Sequence, residues 1–169
     1  MVRLYILRHA KSSWATPGMR DYDRGLNERG ANDLAAIARA MRSRDLLAPH
    51  VLCSPAVRTR MTLHGVMSAY GVPPVVDYEE ALYSGNVEDY WSLLRAQAGG
   101  EPRMIIGHNP MCAMLAEEAA HAGEPAMLEA MRGAFPTGCL AAIEFAAAQW
   151  PQIAPGQGRL VEFVVPREL

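Results

Sequence analysis

Residues 2–14 read Val-Arg-Leu-Tyr-Ile-Leu-Arg-His-Ala-Lys-Ser-Ser-Trp, and the apolar run Leu4-Tyr5-Ile6-Leu7 stops abruptly at Arg8 and His9. The run is too short for a typical helix and rich in strand formers, so it is expected to be a strand buried on both faces. Arg8 and His9 then fall at its carboxyl end, the edge of an open α/β sheet where ligands bind. A cation beside an imidazole at such an edge points to an anion site that contains a nucleophile or base. The plainer alternative is a strand end that simply presents Arg and His to water, and the rest of the chain has to decide between the two.

The segments that follow alternate strand and helix. Residues 15–27 contain Pro17, Gly18 and Gly25 without periodicity and read as a loop. Asn27 or Glu28 opens a helix striped by Leu34, Ile37, Ala38 and Met41. His50 to Cys53 form a second short strand, and Ser54-Pro55 then starts a helix that Ser54 is expected to cap. That helix keeps Leu63, Val66, Met67 and Tyr70 in register before Gly71 and Pro73-Pro74 stop it. Val75, Val76 and Tyr78 predict a third strand, and Val87, Tyr90, Trp91 and Leu94 an amphipathic helix. Arg103 to Gly107 predict a fourth strand running into His108-Asn109-Pro110, with Met111, Met114 and Leu115 striping the next helix. Residues 123–138 read as irregular apart from a turn of helix near Met127 to Met131, and residues 140–145 and 159–165 as two closing strands that a hairpin could pair. The order βαβαβαβα followed by ββ predicts an α/β fold: a three-layer αβα sandwich whose central sheet is mainly parallel with an antiparallel edge. Residues 1–169 are expected to form one domain.

Composition narrows the function classes. A formal charge of -2 and a pI near 6.2 give no global attraction to nucleic acid or anionic membrane. Arg8 and Lys11 interrupt the amino-terminal apolar run, which argues against a signal peptide, and no stretch reaches the length of a membrane span, so a cytoplasmic location is expected. The cysteines at 53, 112 and 139 are odd in number and widely spaced, which suits core thiols better than disulfides or a zinc site. His50, His64 and His121 form no pair with metal-ligand spacing, so no metal and no cofactor is expected. The methionines at 61, 67, 111 and 114 keep helical spacing and read as core filler.

Three strand-to-helix junctions therefore present Arg8-His9, Ser54 with Arg58 one helical turn on, and His108 at one sheet edge. Two guanidiniums offer forked donors that neutralise a phosphoryl dianion, and two imidazoles offer a nucleophile and an electrophilic partner without a metal. Nearby arginines would also depress the pKa of a nucleophilic His and keep it neutral, with either ring nitrogen open to the role.

The segments Arg8-His9-Ala10-Lys11-Ser12, Asp21 to Gly30 (Asp-Tyr-Asp-Arg-Gly-Leu-Asn-Glu-Arg-Gly), Ser54-Pro55-Ala56-Val57-Arg58-Thr59 and Gly107-His108-Asn109-Pro110 resemble the successive motifs of the histidine phosphatase (phosphoglycerate mutase-like) superfamily. Their order and spacing are most similar to its short SixA-type phosphohistidine phosphatase branch. The resemblance implies that His9 forms a phosphohistidine intermediate while Arg8, Arg58 and His108 clamp the phosphoryl oxygens. Ala10 stands where the common motif has glycine, although Arg-His-Ala is familiar in this branch. Larger members carry a glutamate acid after the third strand, but Ala81-Leu82-Tyr83-Ser84-Gly85 has no carboxylate, and Glu79 and Glu80 come too early. The resemblance instead places the acid in the loop ahead of Arg24, at Asp21; Gly25 replaces the proline expected there.

Asp23 is expected to pair with Arg20 or Arg24 on the loop surface rather than to take part in chemistry. Thr137, between Pro136 and Gly138, is either a phosphate donor or part of a plain turn. The function expected is metal-independent phosphate release through a phosphohistidine intermediate, with phosphohistidine on a signalling protein as substrate. A phosphomonoesterase acting on a small metabolite (a sugar or other phosphate) and a non-catalytic phosphate-reading module are the alternatives.

Overall fold

The computed structural model describes all residues from Met1 to Leu169. Its elements follow in the order β1 (Val2–Arg8), α1 (Glu28–Ser43), β2 (His50–Cys53), α2 (Val57–Val66), β3 (Val75–Tyr78), α3 (Ala81–Ser84), α4 (Val87–Arg95), β4 (Arg103–Gly107), α5 (Met111–Ala119), β5 (Ala120–Gly123), α6 (Pro125–Gly133), β6 (Leu140–Phe145) and β7 (Gly158–Val164). The strands make one seven-stranded sheet in the order β3-β2-β4-β1-β6-β7-β5. β6 runs antiparallel to both its neighbours, β1 and β7, and every other pairing is parallel.

Alternation along β1 explains the three layers, because successive side chains of a strand face opposite sides. Val2, Leu4 and Ile6 join one core with Tyr90, Trp91 and Leu94 of α4 and Leu115 of α5. Tyr5 and Leu7 join the other with Leu34, Ile37 and Met41 of α1 and Leu63 and Val66 of α2. Coverage on both faces is why Leu4 to Leu7 read as an unbroken apolar run, while Arg3, nearer the start of β1, pairs with Glu144 of β6. The register Arg8↔Gly107 between β1 and β4, and Cys53↔Ile106 between β2 and β4, brings three parallel carboxyl ends level with one another.

Several local expectations change. Ser54 does not occupy the cap position of α2, which belongs to Ala56; the Ser54 N–H still donates to the Ile106 carbonyl at 3.0 Å, continuing the ladder for one residue beyond β2. α2 ends at Val66, and a single 3₁₀ turn over Met67–Ala69 carries the chain on to an extended Tyr70. Within residues 123–138 lies the nine-residue α6, with Pro125 in its first turn and the Glu124 carboxylate accepting from the Met127 N–H. β5 has no strand signature in Ala-His-Ala-Gly; pairing with the edge of β7 makes it a strand. Met61 and Met114 are about two-fifths exposed, so they are not core filler; Met67 and Met111 pack against the two cores. The three cysteines are buried and unpaired, with burial pushing the Cys53 and Cys112 thiols up to about 12.

Gly30, in the first turn of α1, supports the loop that follows β1. A Cβ there would lie 2.1 Å from the Lys11 carbonyl oxygen and 2.8 Å from its amide nitrogen, and backbone cannot step aside as a side chain can. Gly30→Ala is expected to destabilise the protein by about 1–3 kcal/mol, the usual cost of overpacking, and to lower the urea midpoint. An unchanged midpoint would show that the Lys11 loop yields freely.

Candidate active site

Each residue at the sheet edge is fixed by the backbone around it. The Arg8 N–H donates to the Cys139 carbonyl and the His9 N–H to the Gly107 carbonyl, both at 3.1 Å. The turn at Thr137-Gly138 closes over them: Gly138, at φ +76°, donates its N–H to the Arg8 and His9 carbonyls at 3.1 and 2.9 Å. Past His9, the Ala10 N–H donates to Thr62 Oγ1 at 3.0 Å, and that hydroxyl donates to the Arg58 carbonyl at 2.7 Å, tying the nucleophile loop to α2. Arg8 is held by a bond from Nη1 to the Phe135 carbonyl at 2.9 Å.

Arg8, His9, Arg58, His108 and Thr137 line one cavity of about 210 Å³, with Lys11, Ser12, Trp14, Arg24 and Asn109 completing its wall. The His9 and His108 ring centroids are 5.3 Å apart. A larger groove of about 470 Å³ lies beside α1 and α2, but its lining is mostly apolar and holds no cluster of reactive groups, so chemistry rather than size singles out the smaller cavity.

His9 Nδ1 lies 2.7 Å from the Ala10 carbonyl oxygen, an acceptor only, so Nδ1 carries the proton and Nε2 keeps the lone pair. Burial, opposed by that backbone bond and assisted by the charges of Arg58 and Arg8, brings the His9 pKa down to about 4. Burial and the charge of Arg58 bring His108 down to about 3. Both rings are therefore neutral at pH 7. His108 Nε2 is 2.7 Å from Ser54 Oγ, and that oxygen also accepts the Ala56 N–H at 3.3 Å. With its oxygen accepting there, the hydroxyl proton is free to point at Nε2, which leaves the hydrogen of His108 on Nδ1. Nδ1 has no protein partner, and neither do the buried Nε atoms of Arg8 and Arg58. Buried donors without partners are costly unless a ligand takes them up.

Asp21 does not line the cavity but stands on its arginines. Arg58 donates to the Asp21 carbonyl at 2.8 Å and to Oδ2 at 3.0 Å, Arg24 donates to Oδ1 at 3.0 Å, and the Tyr83 hydroxyl donates to Oδ2 at 3.0 Å. Partial desolvation raises the Asp21 pKa, but the bonds from Arg58 and Arg24 outweigh it and hold the carboxyl at about 2. Asp23 turns away and pairs with Arg20 at 2.7 and 3.0 Å. Sequence reading missed Arg24, Tyr83 and the Ser54 contact. Arg24 lies within the Asp21 to Gly30 motif, which is its one sequence signal, whereas Tyr83 in Ala81-Leu82-Tyr83-Ser84-Gly85 carries none, because its role depends on a hydroxyl reaching Asp21 across 62 positions of chain. No cluster of three or more His, Cys, Asp or Glu side chains that could hold a metal occurs.

A neutral imidazole with a free nitrogen, facing guanidiniums with unfilled donors at the carboxyl edge of a doubly covered sheet, defines a protein that handles phosphoryl groups. The family model of the histidine phosphatase superfamily (branch 1) matches residues 4–83. The uncharacterized protein Rv1276c of Mycobacterium tuberculosis is 31% identical over 166 residues, covering 95% of this chain and all of that protein. A candidate phosphohistidine phosphatase SixA from Agrobacterium tumefaciens superposes with a TM-score of 0.83 at 33% identity, covering 98% of each chain. Another from Nakamurella multipartitia gives a TM-score of 0.83 at 25% identity, over 98% of this chain and 96% of that one. The chain belongs to the histidine phosphatase superfamily, within its short SixA-type branch, and is a phosphatase. No helix is long and apolar enough to cross a membrane.

The depressed His9 pKa sets an expected pH profile. A protonated ring has no lone pair, so kcat/KM for an activated aryl phosphate, whose leaving group needs no acid, should hold as pH falls through 6 once corrected for substrate ionisation, and drop only as pH passes about 4. An acid limb near 6.5, the value of free imidazole, would show that burial does not tune His9.

Proposed function

We propose that this protein removes the phosphoryl group from phosphohistidine on a protein by double displacement at His9. The observation that carries the reading is the free Nε2 of a neutral, backbone-locked His9 in the same cavity as Arg8, Arg58 and His108. Nε2 attacks phosphorus, the bond from phosphorus to the substrate nitrogen breaks, and Asp21 gives that nitrogen a proton. Water then attacks the phosphorylated His9, the P–Nε2 bond breaks to release phosphate, and Asp21 takes back the proton. Arg8 and Arg58 balance the charge on the equatorial oxygens, and His108 donates from Nδ1. Thr137, whose turn is bound to the His9 carbonyl through Gly138, adds a hydroxyl to the same wall.

Asp21 is ionised in the free pocket, so its acid role requires that substrate change its surroundings. A phosphoryl dianion that occupies the Arg58 fork removes the bonds holding the carboxyl down and adds a like charge, and both changes raise its pKa. The cavity walls are polar or charged except at Trp14, a lining suited to the phosphoryl group that offers little to grip the rest of a metabolite, so the reading favours a side chain presented on a protein surface. Competition among a phosphohistidine protein, sugar phosphates and an aryl phosphate, ranked by kcat/KM, tests the reading. Phosphohistidine is expected to lead, and a sugar phosphate ranking first would replace it with the metabolite reading.

A further inference from the structure

Three tryptophans occupy opposite environments. Trp91 and Trp150 are fully buried, and their Nε1 atoms donate to Glu118 and to the Glu101 carbonyl at 2.8 and 2.9 Å. Trp14 is 90% exposed, although an indole is among the side chains that gain most from leaving water. It takes part in no aromatic pair, cation contact or side-chain hydrogen bond that would explain its position. It is also the one hydrophobic residue lining the phosphate cavity, whose other walls are polar or charged.

The chain beside it is anchored. Ser13 donates from both N–H and Oγ to the Gly25 carbonyl at 3.0 and 3.2 Å, and Arg24 Nη1 bonds Ser12 Oγ and the Ser13 carbonyl at 2.7 and 3.1 Å. Ser12 also bridges to Leu26. The indole thus projects from a fixed root at the rim, where the part of a substrate beyond phosphorus must emerge.

We propose that Trp14 is a subsite for a flat aromatic leaving group: its indole lies against the imidazole of the substrate phosphohistidine while the phosphoryl group sits among the arginines. The proposal rests on the functional reading above and supplies what the arginines and His9 lack, since they recognise any phosphoryl group alike. Stacking of a planar ring on an aromatic side chain tightens binding by about five- to a hundredfold, and an alkyl group offers no π-face for it.

Binding is read in the His9→Ala protein, which leaves substrate unconverted. Because Trp91 and Trp150 are fully buried, acrylamide quenching of fluorescence reports on Trp14. Saturating phosphoimidazole is expected to shield Trp14, whereas inorganic phosphate and ethyl phosphate fill the cavity without shielding it. In the intact enzyme, Trp14→Ala should raise KM for phosphoimidazole by about tenfold, with kcat within about twofold and KM for ethyl phosphate raised several-fold less, and Trp14→Tyr should restore most of the loss. Equal effects on all ligands, or none on phosphoimidazole, overturn the proposal. A loss seen with a phosphohistidine protein but not with phosphoimidazole also overturns it, by assigning Trp14 to protein docking. Failure of the functional reading is distinguishable: it is read from the substrate ranking of the unmodified enzyme, whereas this proposal is read from shielding and from the ratio between Trp14→Ala and the unmodified enzyme.

Discussion

His9→Ala is expected to abolish turnover of every phosphorylated substrate, by about four orders of magnitude or more, the scale on which removing a covalent nucleophile acts, while the protein still binds vanadate. His9 is 6% exposed and its backbone, rather than its ring, carries the bonds to Gly107 and Gly138 that shape the cavity. Removing the ring leaves Arg8, Arg58 and the Nδ1 donor of His108 in place, together with the charge that attracts an oxyanion. Circular dichroism and vanadate titration check fold and binding, and acid-quenched labelling with a radioactive phosphoryl donor checks the intermediate. Residual turnover within about a hundredfold of the unmodified enzyme would remove His9 from the nucleophile role, because general acid–base effects alone operate on that smaller scale.

Asp21→Asn should slow phosphohistidine and alkyl phosphate cleavage by on the order of a hundredfold or more, while slowing an activated aryl phosphate far less. A nitrogen or alkoxide leaving group needs a proton, whereas a stabilised aryloxide departs without one. The structure adds a second expectation, since Asp21 occupies Arg58 in the free site and the neutral amide competes less well for that guanidinium. KM for phosphate-bearing ligands should therefore fall as kcat falls. A lower KM with no dependence on the leaving group would make Asp21 only a resident anion that substrate displaces. Equal losses of kcat on both substrate types would assign it to folding or phosphate binding. Asp23→Asn should be mild throughout, because its carboxylate is spent on Arg20 at the loop surface.

The layers and the sheet edge were legible because they rest on local periodicity. Leu34, Ile37, Ala38 and Met41 recur at helical spacing, and all four are buried. Leu4 to Leu7 run unbroken because both faces of β1 are covered. Met61 shows where this logic fails, since its spacing matches a core stripe but its side chain is left part-exposed, lining a groove beside α1 and α2. β5 shows the reverse: a poor strand former becomes a strand because the free edge of β7 offers ladder bonds to whatever backbone passes it.

By itself the sequence determined the alternation of strands and helices and the placing of Arg8, His9, Arg58 and His108 just past the carboxyl ends of three strands, since hydrophobic spacing and turn residues act over a few positions. Only the tertiary structure decided that Ser54 orients His108, that Arg58 and Tyr83 meet at the Asp21 carboxylate, and that the Ala10 carbonyl frees Nε2 of His9. Most of these contacts join residues far apart in the chain, across different strand ends and loops. They depend on angles and distances of a few tenths of an ångström that no local pattern of hydrophobic and polar residues encodes.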